Sequence, residues 1–377
     1  MNKNMQKIYT SLGLMSGTSG DGVDASIIDT NGNNQFEVII DKYFEYDSNI
    51  FKEIHNLKEK ILNANDLEKL NDDLKKLERN ITLFHAKIVK ELEKKKNIFL
   101  IGFHGQTIYH NAEQKISKQL GNGRLLSQLT NKKVIFNFRK NDILNGGEGA
   151  PLTPVFHHLI VNQNKIQKPL GVLNIGGISN ITIIDKSNNL SKLISRDVGP
   201  GNCLIDSWIR KNSDEKFDYN GKLADSGNVN EIIFEQAQEL YLNRKNKKKL
   251  SYDINDFDIS FARGLSIEDG AATLTEFTSS IISETILSLF KNLNIEIPKI
   301  LICGGGRNNK VLIKSIINKF PKKIDFQLID DYGISGDFIE SQAFAFLAIR
   351  SYLKLPISYP STTNCSKPCT GGELIEN

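Results

Sequence analysis

Apolar positions along the chain follow two rhythms that divide it into strands and helices. Tyr9 to Asp29 reads as an apolar stretch, a Gly/Ser/Asp-rich turn and a second apolar stretch ending in Ile-Ile-Asp. Leu170 to Asp185 repeats that order around Gly176-Gly177 and ends in the same three residues. Apolar runs joined by a glycine turn predict tight β-hairpins. Two such hairpins roughly 160 residues apart predict a domain-sized repeat rather than a solenoid.

Between the hairpins, Leu67, Leu70, Leu74, Leu77, Ile81, Phe84 and Ile88 recur three and four residues apart and share one helix face. Asn65 with Glu68 three residues on predicts a capping box at the helix start. The stripe is short for a coiled coil, so the helix is expected to cover one side of a sheet. Continuous apolar runs at Ile98–Phe103, Lys133–Phe138 and Lys299–Cys303 predict buried strands. Helices are expected from about Gly270 to Phe290 and from about Phe338 to Leu353. Strands alternating with helices predict an α/β fold with mixed sheets flanked by helices. The Pro/Ser/Thr/Gly-rich tail after Pro356 predicts an irregular return segment.

Length turns this pattern into two lobes, because 377 residues exceed what one core usually supports. The expected division is residues 1–135 plus 355–377 in one lobe and 136–354 in the other. Hydrophobic residues at 39% and charged residues at 24% exclude wholesale disorder. A net charge of +4, spread among acids, gives no reason to expect a nucleic-acid partner. No apolar run is long enough for a membrane span, and Thr10, Ser11 and Gly13 interrupt any signal-peptide core. Four cysteines make no disulfide framework, so a cytoplasmic protein is expected.

Chemistry is suggested by glycine turns at strand ends: Gly17–Gly22, Gly146–Gly149, Gly176–Gly177, Gly199–Gly201 and Gly304–Gly306. Glycine lets backbone N–H groups approach phosphate oxygens. Neither a P-loop nor a Rossmann fingerprint occurs, so any triphosphate must be held by hairpin loops. In the first turn, hydroxyls and amides can face phosphate, while Asp21 or Asp24 suits Mg²⁺ through water. Asp21 beside Gly22 is equally a turn-former. Asp197, at a predicted strand end before Gly-Pro-Gly, is a candidate general base. Asp206 reads as a helix-surface acid. His104 and His110 lack a third zinc ligand, and Cys365 and Cys369 lack a second cysteine pair.

Nine segments, taken in order, resemble the bacterial anhydro-N-acetylmuramic acid kinases of the sugar-kinase/actin-like ATPase superfamily. They begin with Gly13-Leu-Met-Ser-Gly-Thr-Ser, Asp21-Gly-Val-Asp-Ala25, Phe103-His-Gly-Gln-Thr107, Gly146-Gly-Glu-Gly-Ala-Pro-Leu152 and Asn174-Ile-Gly-Gly-Ile-Ser-Asn180. Asp197-Val-Gly-Pro-Gly-Asn202, Cys303-Gly-Gly-Gly-Arg-Asn308, Glu340-Ser-Gln-Ala-Phe-Ala-Phe-Leu-Ala348 and Thr370-Gly-Gly372 complete the series.

The resemblance implies two ribonuclease H-like lobes with ATP and Mg²⁺ in an inter-lobe cleft. It implies a reaction in which ATP and water convert 1,6-anhydro-N-acetylmuramic acid to N-acetylmuramic acid 6-phosphate in cell-wall recycling. Asp197 would activate the water. Gly17, Thr18, Ser19, Gly20, Asp21, Gly22, Val23 and Asp24 would wrap the phosphates, with Asp21 as the metal residue. Gly176, Gly177, Gly199, Gly201, Asn202, Gly304, Gly305 and Gly306 would line the nucleotide site, and His104, Gln106 and Glu340 the sugar site. By the same analogy the protein would form a homodimer.

Three positions depart from the family's usual residues: Gly20 for leucine, Asn137 for aspartate and Glu148 for glutamine. Gly20 is expected to loosen the phosphate turn. Two other functions fit the same residues: a same-fold kinase that phosphorylates another sugar without ring opening, and a nucleotide-binding sensor of wall fragments without turnover. Asp21, Asp24 and Asp197 together argue against the sensor.

Overall fold

The computed structural model describes residues 7–243 and 251–376. They form two units: the chain up to Ile166 with Asn189–Leu193 and everything from Phe338, and Gln167–Asn188 with Ile194–Asp337.

In the first unit β1 (Tyr9–Ser16), β2 (Gly22–Thr30) and β3 (Phe36–Glu45) form an antiparallel meander. β4 (Leu100–Asn111) lies parallel to β1 on its other side. β5 (Ile116–Leu120) turns back on the far end of β4, and β6 (Lys133–Phe136) continues the sheet parallel to β4. Three helices, α1 (Ser48–Lys60), α2 (Ala64–Lys69) and α3 (Asn71–Glu93), lead from β3 to β4. α4 (Gly123–Thr130) precedes β6, and α5 (Lys140–Leu144) and α6 (Pro154–Gln163) follow it. Leu74, Leu77, Ile81 and Ile88 of α3 pack with Leu12, Leu14 and Ile101 in one core, so the apolar stripe covers the sheet as predicted. The helix starts differently from the expectation. Asn63 and Asp66 form the capping box, and the chain breaks at Leu70 between α2 and α3.

The second unit repeats the plan. β7 (Leu170–Ile175), β8 (Ile178–Ile184) and β9 (Ile194–Pro200) form the meander. α7 (Cys203–Asn212), α8 (Lys222–Ser226), α9 (Glu231–Leu242) and α10 (Ile267–Leu293) follow. β10 (Lys299–Cys303), α11 (Lys310–Asn318) and β11 (Asp325–Leu328) complete it, β10 parallel to both β7 and β11. Both sheets thus run third-second-first strand, then two parallel strands beyond the first. That is the ribonuclease H-like order, and its duplication accounts for the two similar hairpins.

The chain then returns to the first unit as α12 (Ile339–Tyr352), α13 (Pro360–Thr363) and β12 (Glu373–Ile375). α12 crosses the first sheet at glycines: a β-carbon on Gly13 would lie 1.9 Å from Ser341 O, and one on Gly102 would lie 2.3 Å from Phe344 O. The tail, expected to be irregular, ends by adding β12 antiparallel to β6. Residues 136–166, 189–193 and 338–354, assigned to the other lobe from sequence, group with the first unit. The reason is that α12 supplies Ala343, Phe344, Phe346 and Leu347, all buried, to this unit's interior. Among the described residues no helix is long and apolar enough to cross a membrane.

Candidate active site

In the first unit the turn between β1 and β2 is closed by Gly20 N–H donating to Gly17 O at 3.1 Å. Gly20 has φ +64°, a left-handed conformation that leucine adopts only with strain. Glycine takes up this conformation without that strain. Gln106 braces it: its amide N donates to Gly17 O at 2.8 Å, and its carbonyl accepts from Ser16 Oγ at 2.6 Å. The Ser19 hydroxyl donates to Asp21 at 2.6 Å, and Tyr46 N–H donates to the Asp21 carbonyl at 2.9 Å. Lys58, nearly buried on α1, reaches Thr18 O at 2.6 Å. Burial and the charges of Asp21, Glu45 and Asp24 together raise the Tyr43 phenol above its ordinary value.

Of the eight residues expected to wrap phosphate, Gly17, Thr18, Ser19, Asp21 and Asp24 retain surface exposure. Gly20, Gly22 and Val23 are buried. Val23 belongs to the core, and a β-carbon on Gly22 would strike the Tyr43 ring at 2.6 Å.

His104 is the extra residue of a bulge in the β1–β4 ladder, between the pairs Leu14–Phe103 and Met15–Gly105. It is buried, lies against Phe344 and meets the Arg139 guanidinium. His104 and Gln106 are thus engaged by protein groups on the same strand end. Glu340 stands half-buried in the first turn of α12. Asn137 has φ +55°, a conformation asparagine tolerates. Glu148 accepts from Asn364 Nδ2 at 3.0 Å and so ties its loop to the tail.

In the second unit, β7, β9 and β10 run in one direction, so the turns after them open at one sheet end, where ligands of open α/β sheets gather. Gly201 N–H donates to Gly177 O at 2.9 Å, and Asn202 N–H to Gly176 O at 2.8 Å. A β-carbon on Gly201 would sit 2.2 Å from Gly176 O. One on Gly304 would meet Ile175 O at 2.6 Å, and one on Gly306 the Ile175 side chain at 2.2 Å. Gly176, Gly177, Gly201, Asn202, Gly304 and Gly306 are thereby brought together, with Gly305 exposed and open above them.

Asp197 belongs to this end. Ser179 pairs with Gly199 and Asn180 with Asp197, leaving Val198 as a bulge directly after the aspartate. Bulges re-aim neighbouring side chains and recur beside active sites. Asp197 is 6% exposed, and its Oδ2 accepts from Tyr252 N–H at 2.7 Å. Gly199 lets β9 pass under α10, where a β-carbon would touch Ile281 at 2.8 Å.

Three contributors were not found from sequence. Tyr252 acts through its backbone, which leaves no side-chain signal. Lys58 lies within an ordinary amphipathic helix. Arg307, although inside a motif, showed its partners only in space: it forks onto Asp330 (2.7 and 3.0 Å) and Asp337 (2.5 and 2.9 Å), fixing the Gly304–Gly306 loop. Burial opposes that cation, but the two carboxylates outweigh it and raise the Arg307 value.

A family profile described as anhydro-N-acetylmuramic acid kinase matches residues 9–377. The chain belongs to that family. It is similar to proteins named anhydro-N-acetylmuramic acid kinase from three bacteria. That of Pelagibacter ubique is 56% identical, over 99% of this chain and 100% of the relative. That of Zymomonas mobilis is 37% identical, over 96% and 98%. That of Agrobacterium fabrum is 33% identical, over 98% and 100%. The enzyme is accordingly a kinase of the anhydro-N-acetylmuramic acid kinase family, and the turns and carboxylates above are its candidate machinery.

Proposed function

We propose that this kinase uses ATP and water to open the 1,6-anhydro bridge of 1,6-anhydro-N-acetylmuramic acid, giving N-acetylmuramic acid 6-phosphate and ADP during cell-wall recycling in the cytoplasm. The observation that carries the reading is Asp197, a buried carboxylate aimed by a bulge and a backbone donor, directly before clustered glycine turns. Asp197 takes a proton from water as the water oxygen bonds to C1. The C1–O6 bond breaks with its electron pair on O6, which takes the γ-phosphoryl group. Opening through an oxocarbenium-like carbon calls for such a carboxylate on the face opposite the departing oxygen. A positioned base contributes ~10²–10⁴-fold.

Phosphoryl transfer is mainly positioning and charge neutralisation. Gly17, Thr18 and Ser19 offer turn donors beside the Lys58 ammonium, and in the second unit Gly177 and Gly305 offer backbone donors beside the Asn202 side-chain amide. Asp21 and Asp24 fit Mg²⁺, because both keep surface exposure and their charges act together on Tyr43. Bound there, Mg²⁺ would neutralise phosphate charge. Glu340 holds the sugar, while His104 and Gln106 serve it indirectly by positioning Arg139 and the first turn.

Product formed in ¹⁸O-water and analysed before anomeric exchange tests the reading. Label on C1 with phosphate on O6 is the expected result. Phosphate without label would identify simple transfer to a hydroxyl, and no product would identify a sensor.

A further inference from the structure

Away from these residues, the first unit holds a second cluster of chemically competent side chains. The carboxylate of Asp142, on α5, and the thiols of Cys365 and Cys369, in the tail, each place one ligand atom within 4.8 Å of the others, and all three residues are buried. Asp142 is held rigidly. Its Oδ2 accepts from Gly149 N–H at 2.8 Å, and its Oδ1 accepts from Ser358 Oγ at 2.5 Å and Thr363 Oγ1 at 2.6 Å. The Cys365 thiol leans on the same two hydroxyls and on Asp142, and Cys369 Sγ donates to Lys367 O at 3.1 Å.

Asp142 is 1% exposed, and among the described residues no Lys, Arg or His pairs with it. Buried carboxylates are normally paired with a cation or bound to a metal. Hydrogen bonds that fix a carboxylate's orientation are what a metal ligand needs from its surroundings.

We infer that Asp142, Cys365 and Cys369 form a binding site for one thiophilic divalent cation, Zn²⁺ in the first instance. Two sulfurs and one carboxylate oxygen suit zinc, whose ligands at about 2.0–2.3 Å stand roughly 3.5 Å apart in a tetrahedron. Water completes the fourth position. Binding replaces the two thiol hydrogens, which leave as protons. The bound ion would staple the tail to α5 and to Gly149, whose carbonyl accepts from Arg139 Nη1 at 3.0 Å. A Cys365–Cys369 disulfide would use the thiols but leave the oriented carboxylate unexplained.

The test uses the full chain, reduced and washed with chelator, titrated with Co²⁺ as probe and then with Zn²⁺. One Co²⁺ per chain, with a sulfur-to-cobalt charge-transfer band and intense tetrahedral visible bands that Zn²⁺ abolishes, is expected. Zn²⁺ should also raise Tm. Cys203→Ser should retain both effects, whereas the double variant Cys365→Ser/Cys369→Ser should lose both. If the double variant does not fold, the wild-type and Cys203→Ser titrations decide the matter. Absence of the charge-transfer band in the reduced wild-type chain would overturn the proposal. So would an equal band in the folded double variant.

Discussion

His104 accepts hydrogen bonds from Arg139: its Nε2 lies 3.3 Å from Nε and 3.1 Å from Nη2 of the guanidinium. Arginine can only donate, so the other nitrogen, Nδ1, carries the ring hydrogen and gives it to Gly105 O at 2.8 Å. Both ring nitrogens are thus committed, and the histidine is a neutral prop for a cation. Burial, and then the Arg139 charge, push its pKa down to about 3.

Acid should therefore destabilise the fold through its histidines. Burial also pushes His85 down to about 4 and His157 to about 3. From the ordinary value near 6.5 down to these values, the unfolded chain binds protons that the folded chain refuses. Their stabilising contribution is complete above about pH 6.5 and is lost as pH falls towards 4. Each histidine adds a slope of about 1.4 kcal/mol per pH unit within that window. Urea midpoints measured from pH 7 to pH 4.5 should fall, and His104→Gln should flatten the slope. A midpoint independent of pH over this range would refute the neutral-prop assignment.

Asp197→Asn should lower turnover by at least ~10²-fold while leaving ATP affinity nearly intact, as loss of a general base requires. Steady-state kinetics with an independent nucleotide-binding titration checks both halves. Turnover within a few-fold of wild type would remove Asp197 from the mechanism.

Gly20→Ala should cost ~1–2 kcal/mol, since φ of +64° is left-handed and the added carbon would stand 2.8 Å from Ile54 Cγ2. Gly20→Asn, with the same contact but a better tolerated backbone, should cost less at the backbone. Equilibrium urea unfolding ranks the two. An alanine variant as stable as wild type would show that the turn is not held as described.

Arg307→Lys keeps the charge and loses the fork onto Asp330 and Asp337. The carboxylates are 37% and 46% exposed, so solvent screening limits the expected loss to about 1–2 kcal/mol. Because the same fork fixes the Gly304–Gly306 loop, KM for ATP should rise more than kcat falls. Unchanged KM with a lowered Tm would confine Arg307 to stability.

Much of the fold is legible in the sequence because hairpins and strands announce themselves locally. The Ile-Ile-Asp repeats and the Gly176-Gly177 turn marked two equivalent hairpins, and the Leu74–Ile88 stripe marked the helix that covers the first sheet. The lobe limits were not legible. Ala343, Phe344 and Phe346 declare a buried helix but not which sheet it crosses, and the answer lies in the missing β-carbons of Gly13 and Gly102. Glycine itself was ambiguous in the same way. Gly305 has open space around it, whereas Gly201 and Gly306 are small because the backbone of the β7–β8 turn and the Ile175 side chain occupy the space. The Gly146–Gly149 loop, read as a phosphate turn, instead bonds to Asp142 beneath it.

The order of the elements also affects how the polypeptide emerges during synthesis. All of the second unit lies within Gln167–Asp337, so that body can consolidate while the ribosome is still translating. The earlier-made first unit must wait, because α12 and β12 are encoded last. Until they arrive, Gly13 and Gly102 face an uncovered sheet and β6 has a bare edge, so closing the first unit depends on segments distant in sequence from its own meander.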